Sequence, residues 1–224
     1  MAEIRDHALL LRRIPFSETS LICHFLTETH GRITLMARGA RRERSPFRAA
    51  LFPLYDLQIG WKPGRTGMGM LIDVQREKCL VNDANTLDAL EFLAIASSLF
   101  HEGDPHGYRE VKEGLCLLAE RVSDEALYTS VWFLLHETGW LGDLSHCWSC
   151  GEAVSGMMFW QNAQLYCQQC GRGVEVSPGL RRGIAGILTQ PHIRLSEHDL
   201  QSWRAMIASV LREHQMKISE SFYG

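Results

Sequence analysis

The chain has 224 residues and a formal net charge of −3, with 46% hydrophobic and 22% charged residues. This composition is typical of a folded protein that buries a sizeable core, and it argues against global disorder. The sequence contains no apolar run of the roughly 18 residues that a membrane span needs. The first residues also lack the apolar stretch of a secretory signal. We therefore expect a cytoplasmic protein without a membrane anchor.

Charge is distributed unevenly along the chain. Residues 1–80 carry 13 Lys and Arg against 8 Asp and Glu, whereas residues 81–146 carry 3 against 12. Regional balances of +5 and −9 indicate that the first part of the chain contacts a polyanion and that the middle does not.

Residues 1–80 have the pattern of short β-strands. Five stretches rich in Leu, Ile, Val and aromatic residues are separated by turn sequences, among them ETHG at 28–31 and KPGRTG at 62–67. In YDLQIGW (55–61), apolar and polar residues alternate, as in a strand with one buried face. Five such strands without helical periodicity predict a small closed β-barrel domain over residues 1–80.

Helical periodicity replaces this pattern in the rest of the chain. We predict a helical domain over residues 81–224, interrupted by an insert at 145–173. Asn85 is predicted to cap the first helix, and Ser196 with Asp199 forms a capping-box pattern before the last one.

The insert contains two Cys-x-x-Cys pairs separated by sixteen residues, which is the spacing of a zinc ribbon. The predicted ligands of one structural Zn²⁺ are Cys147, Cys150, Cys167 and Cys170. Four thiolates complete a tetrahedron and leave no open position for a substrate, so the site is predicted to be structural and not catalytic. The alternative is a pair of disulfides, which a reducing compartment disfavours. The remaining cysteines, Cys23, Cys79 and Cys116, are predicted to be small core residues.

An arginine-rich segment follows the third predicted strand. Gly39, Ser45 and Pro46 predict a surface loop, in which the predicted DNA-binding residues are Arg38, Arg41, Arg42, Arg44 and Arg48. Guanidinium groups bind phosphate oxygens bidentately and stack on bases. Aromatic residues nearby in the sequence are candidate stacking partners: Phe16, Phe25, Phe47, Tyr55 and Trp61. A weaker second set of basic candidates comprises Lys62, Arg65, Arg12 and Arg13. The alternative is that the loop is solvated and the aromatic residues form core.

No catalytic motif accompanies these features. The stretch GRTGMGM lacks the lysine of a phosphate-binding loop, and HETGW at 136–140 is not HExxH. We therefore expect a protein that is not an enzyme.

Together these stretches resemble the bacterial RecO family of DNA repair proteins. The resemblance is carried by FSETSLICHFLTETHGRITLMARGARR (16–42), FRAALFPL (47–54), LLHETGWLGDLSHCWSCG (134–151) and CQQCG (167–171). It implies an α+β protein with an N-terminal OB-fold, followed by a helical domain with an inserted four-cysteine zinc ribbon.

The resemblance also implies a mediator of recombinational repair in the cytoplasm, associated with the nucleoid. Such a protein binds single- and double-stranded DNA and anneals complementary strands. With RecR, it helps to load RecA onto DNA coated by single-strand-binding protein. The DNA contacts of the family correspond here to the arginine-rich loop. A site for the acidic tail of single-strand-binding protein is expected in the helical domain, with Arg181, Arg182 and Arg204 as candidates. The alternative function is a zinc-ribbon adaptor that binds proteins and does not contact DNA.

Overall fold

The computed structural model describes residues 2–64, 67–120, 125–187 and 195–214. The chain divides into two compact units, Met1–Asp124 and Glu125–Gly224. The predicted domains, residues 1–80 and 81–224, stay a prediction, and the first two long helices lie within the first compact unit. Of the helices in the described ranges, none is long and apolar enough to span a bilayer.

Five strands close into a barrel in the first unit. The strands are β1 (Ile4–Phe16), β2 (Ser20–Thr27), β3 (Gly31–Ala37), β4 (Tyr55–Lys62) and β5 (Gly69–Cys79). Their order around the barrel is β1-β2-β3-β5-β4, and the short β3–β5 pairing is parallel whereas the other pairings are antiparallel. This arrangement confirms the predicted five-stranded OB-fold barrel.

Alternation along the strands fills the barrel interior. Leu57 and Ile59 of β4 are almost completely buried, and Trp61 is 7% exposed. They pack with Phe25 and Leu35 in one core cluster. Such alternation follows from the period of two in an extended chain, which sends successive side chains to opposite faces.

The described part of the first unit contains one short and two long α-helices. The short helix, α1 (Pro46–Ala50), precedes β4, and the long helices, α2 (Thr86–Leu99) and α3 (Tyr108–Glu120), follow the barrel. Asn85 occupies the N-cap position of α2, as predicted, but its side chain forms no capping hydrogen bond there. The side chain of Asn82 caps the preceding turn, because it accepts the hydrogen bond from the Asn85 N–H. Asn85 is instead buried, and its side-chain amide donates to the Leu118 carbonyl in α3.

Polar side chains fix these helices to the barrel. Arg32 of β3 donates to the carbonyls of Ser97, at 2.8 Å, and Phe100, where α2 ends. Buried Asp56 of β4 accepts hydrogen bonds from the Tyr108 hydroxyl at 2.8 Å and from Lys112 Nζ at 2.6 Å. Burial and the hydrogen bond to this carboxylate raise the pKa of Tyr108. The Tyr108 hydroxyl therefore stays protonated and donates to Asp56.

The second unit combines helices with a small sheet. Its elements are α4 (Ala126–Glu137), β6 (Met158–Gln161), β7 (Gln164–Cys167), β8 (Val174–Val176), α5 (Pro178–Ile187) and α6 (Glu197–Glu213). The sheet has the order β7-β6-β8. Its core contains Trp132 of α4, Trp160 of β6 and Trp203 of α6, with the Trp132 ring centroid 6.2 Å from each of the others. Thus the sheet shares a core with the helices.

The predicted start of the last helix is confirmed. The Ser196 hydroxyl accepts from the Asp199 N–H at 3.1 Å. The Asp199 carboxylate accepts from Ser177 Oγ at 2.6 Å, and Ser177 in turn accepts from the Leu180 N–H at the start of α5. The two helix starts are therefore linked through these side chains.

Substitution of Tyr108 tests the contribution of the Asp56 cluster to stability. Tyr108→Phe removes the hydrogen bond to the buried Asp56 carboxylate and the one that Lys112 Nζ donates to the Tyr108 hydroxyl. We therefore expect the free energy of unfolding to fall by about 1.5–3 kcal/mol. Urea unfolding followed by circular dichroism measures this change. Tyr55→Phe, on a half-buried tyrosine of the same barrel, is the control and is expected to change it by less than about 0.5 kcal/mol. Equal effects of the two substitutions would contradict the role of the cluster.

Candidate functional site

The four cysteines of the two Cys-x-x-Cys pairs converge in the second unit. Their sulfur atoms all lie within 4.8 Å of one another, and the sulfurs of Cys150 and Cys167 are 3.9 Å apart. Metal–sulfur bonds of about 2.3 Å in a tetrahedron place sulfurs about 3.8 Å apart. All four are free thiols, so the alternative of two disulfides does not describe this structure.

The surroundings of the sulfurs shift the thiol pKa values in opposite directions. Hydrogen bonds from the backbone N–H groups of Cys150 and Cys167 lower the pKa of Cys147 to about 6, whereas side-chain hydrogen bonds with Cys167 and Cys150 raise the pKa of Cys170 to about 12. A tight turn follows each pair, in which the N–H of Gly151 and of Gly171 bonds the carbonyl of the first cysteine. Gly151 has φ +73°, which a glycine adopts without strain. The cluster can therefore bind a metal ion through four sulfur ligands.

The other three cysteines differ in their surroundings. Cys23 is buried in the barrel core, as predicted, and its burial raises the pKa of the thiol to about 12. Cys79 and Cys116 are exposed, so the prediction that they are core residues is wrong. Cys79 is the last residue of β5, and Cys116 lies on the outer face of the amphipathic helix α3, where apolar sequence neighbours do not imply burial.

A second group of potential ligands lies on the barrel. His7, Asp56 and Glu77 also bring their ligand atoms within 4.8 Å of one another. Lys112 Nζ, however, lies 2.6 Å from the Asp56 carboxylate and already neutralises it. This arrangement is better explained as an internal ion pair than as a metal site.

The arginine-rich loop spans residues 38–54, between β3 and β4. It is not wholly irregular as predicted, because Pro46, at the first turn of a helix, begins α1, which contains Arg48. All five predicted arginines, Arg38, Arg41, Arg42, Arg44 and Arg48, are exposed. Within the described ranges, none of these five guanidinium groups forms a salt bridge with a carboxylate. The loop backbone is held against the β1–β2 turn, because the Arg41 N–H donates to the Thr19 carbonyl at 2.9 Å. The loop thus presents a localised positive surface.

The second set of predicted basic residues is divided by the structure. Lys62 is exposed at the end of β4. In the strand register, Lys62 lies opposite Met70 of β5, and Met70 lies opposite Met36 of β3. Lys62 therefore lies at the end of the barrel from which the arginine-rich loop leaves β3. Arg12 and Arg13 are exposed on β1, and Arg65 lies outside the described residues.

The aromatic candidates fall into two groups. Phe25 and Trp61 are buried in the barrel core, so neither offers a free stacking face. Phe47 and Tyr55 are half-buried, and Phe16 is 45% exposed. Phe52 was not predicted as a candidate, and it is 44% exposed beside two guanidinium groups. The available signal was its position in the loop, directly before Pro53, where strand alternation does not apply.

The candidate residues for an acidic-tail site differ in their partners. Arg181 is half-buried and donates to the Gly156 carbonyl at 2.7 Å, and Arg204 lies over the Tyr128 ring at 4.8 Å. Arg182 is exposed. Two of the three thus have internal contacts.

Comparison with known proteins identifies the family. The family model described as "Recombination protein O N terminal" matches residues 1–76, and the one described as "Recombination protein O C terminal" matches residues 86–214. Three relatives are each described as "DNA repair protein RecO".

The relative from Glaesserella parasuis is 29% identical over 174 residues, which is 72% of this chain and 70% of that protein. The relative from Proteus mirabilis is 31% identical over 159 residues, covering 68% of this chain and 64% of that protein. The relative from Actinobacillus pleuropneumoniae serotype 7 is 51% identical over 61 residues, covering 27% of this chain and 25% of that protein. Because two family models match consecutive parts that make up most of its length, the chain belongs to the recombination protein O (RecO) family of DNA repair and recombination proteins.

Proposed function

We propose that this chain is a recombination mediator that binds single- and double-stranded DNA through the arginine-rich loop. In this proposal it anneals complementary strands and, with RecR, helps to load RecA onto DNA coated by single-strand-binding protein. It acts by binding and not by catalysis. The observation that carries the proposal is the set of five exposed arginines, none of which has a carboxylate partner among the described residues.

The physical basis is the exchange of counterions for guanidinium groups at the DNA backbone. Each phosphate that an arginine neutralises releases condensed cations, so binding gains free energy that falls as salt rises. An arginine without an internal carboxylate partner can bind a phosphate without first breaking an ion pair. The loop arginines meet this condition, whereas Arg109 of α3, for example, is paired with Glu113 at 3.1 Å.

The alternative remains an adaptor that binds proteins through the ribbon. The feature in its favour is Trp148, which is 63% exposed between the first two cysteines. Exposed aromatic residues are common at protein interfaces. The DNA titration described below separates the two functions.

We further propose that the cysteine cluster binds one Zn²⁺. Tetrahedral coordination by four thiolates is the arrangement of structural zinc sites. Zinc would join the turn at Cys147 and Cys150 to the end of β7 and the turn after it, at Cys167 and Cys170. Because β6 pairs with β7 and supplies Trp160 to the core, the metal would stabilise the second unit.

The DNA-binding proposal predicts a specific change in salt dependence. Alanine substitution of Arg38, Arg41, Arg42 and Arg44 is expected to weaken binding of a labelled single-stranded oligonucleotide. If each arginine contacts one phosphate, the slope of log K against log salt should flatten by about 2.8. Fluorescence anisotropy titrations at salt concentrations between about 50 and 200 mM measure this slope.

A charge-matched variant provides the control. Alanine substitution of Arg5, Lys78, Arg109 and Arg182 removes the same number of exposed cations outside the loop, and we expect it to retain most of the slope. Unchanged binding in the loop variant would contradict the proposal and favour the adaptor.

The metal proposal predicts one zinc ion per chain. Native mass spectrometry of the chain purified under reducing conditions should show one bound zinc, and a chelator should lower the midpoint of thermal unfolding. Cys150→Ser removes one ligand and should abolish stoichiometric binding. Cys116→Ser, at an exposed cysteine of α3, should leave both the zinc content and the midpoint unchanged. A reduced chain that contains no metal and does not respond to the chelator would refute the site.

A further inference from the structure

A cavity of about 500 Å³ lies beside the arginine-rich loop. This volume is within the range of about 300–1,000 Å³ that small-ligand sites occupy. Five of its lining residues are apolar and three are arginines: Pro15, Leu21, Ala40, Phe47, Leu51, Arg13, Arg41 and Arg48. The cavity thus combines an apolar surface with a concentrated positive charge.

Two of the three arginines are held in place by backbone carbonyls. Arg13 donates through NH1 to the Leu51 carbonyl at 2.6 Å, and Arg41 donates through NH1 to the Ser17 carbonyl at 2.8 Å. A guanidinium group has five N–H donors, so both arginines keep donors that can bind an anion. Their fixed positions reduce the entropy lost when a ligand is bound.

The exposed ring of Phe52 contacts Arg13, which is one of the residues that line the cavity. The Arg13 guanidinium lies 5.2 Å from the centre of the Phe52 ring, and that of Arg76 lies 5.7 Å from it. Arg76 also lies 4.8 Å from the centre of the Tyr55 ring. Planar cations and aromatic rings therefore alternate along the surface next to the cavity. Such surfaces bind flat aromatic ligands by stacking and cation–π contacts.

We propose that the cavity binds one unpaired nucleotide of a single strand and that Phe52 stacks with a neighbouring base. The inference rests on the proposed DNA binding and specifies the ligand of the same site. The base contacts the apolar lining, and Arg41 and Arg48 bind the adjoining phosphates. Bases in a duplex are stacked and paired and cannot enter the cavity, so this contact is specific to single strands.

An acidic peptide is the competing ligand, because it also carries negative charge. Charge alone, however, needs neither the apolar lining nor the alternation of guanidinium groups and rings. A nucleotide fits the positive charge, the apolar lining and the alternating guanidinium groups and rings, because it combines a flat aromatic base with a phosphate. The experiment therefore compares ligands that have equal charge and differ only in their bases.

The test measures the binding of two single-stranded oligonucleotides to the full chain. One has normal bases, and the other has abasic sites at consecutive central positions, so that the phosphate number is unchanged. We expect the abasic strand to bind at least about fivefold more weakly, the lower end of what stacking of one base contributes.

Two variants assign this difference to the site. Phe52→Leu removes the ring, and Ala40→Met fills part of the cavity without adding a ring or changing the charge. Each should lower the ratio of the two affinities at least about twofold, and the double variant should bring it close to one. Ile72→Ala is the matched control, because Ile72 of β5 is nearly as exposed as Phe52, at 41% against 44%, and does not line the cavity. This control should keep the ratio of the unmodified chain.

Equal affinity for the two oligonucleotides would refute this inference and leave the proposed DNA binding intact. A poly-glutamate peptide of matched charge that competes as well as the normal oligonucleotide would also refute it, since recognition would then depend on charge alone. If neither oligonucleotide binds, both the proposed function and this inference are refuted.

Discussion

Closure of the barrel depends on a very short parallel pairing. Leu35 and Met36 of β3 pair with Gly69 and Met70 of β5, and these four residues join the two sides of the sheet. A side chain at Gly69 would meet the Leu35 side chain and the Lys62 carbonyl at 2.8 Å, so only glycine permits this approach. Once the barrel is closed, the end of β3 and the end of β4 lie at the same rim. The arginine-rich loop leaves from this rim, which is why its position is determined by the fold.

Arginine has two different roles in the first unit. Arg32 and Arg13 direct their guanidinium groups at backbone carbonyls, and Arg32 in this way binds carbonyls at the end of α2. A positive charge is favourable there because the carbonyl end of a helix carries partial negative charge. The arginines of the loop are exposed and have no carboxylate partner among the described residues. One residue type thus contributes both to internal structure and to the candidate DNA surface. Arg13 and Arg41 do both, because each donates to a backbone carbonyl and also lines the cavity.

In the second unit, the cysteine cluster and the tryptophan core are parts of one arrangement. The Trp160 N–H donates to Ser209 Oγ of α6 at 2.8 Å, and its ring packs against Trp132. Trp160 belongs to β6, whose partner strand β7 ends at Cys167. A metal bound by the four cysteines would therefore limit the movement of the strand pair that supplies this core residue.

Local signals in the sequence were sufficient for most element types and for the cysteine cluster, although the short helix α1 lies in a stretch predicted as loop. Apolar stretches between turn sequences indicated the five strands, the hydroxyl of Ser196 indicated a helix start, and the Cys-x-x-Cys spacing indicated four converging sulfurs. Each of these depends on residues close together in the chain. Other features depend on residues far apart in sequence: the burial of Phe25 and Trp61, the exposure of Phe52 beside Arg13 and Arg76, and the pairing of Asp56 with Tyr108 and Lys112. Only the tertiary structure shows these features. Contacts between strands and helices that are distant in the sequence determine whether an aromatic ring is buried and whether a charged group is paired.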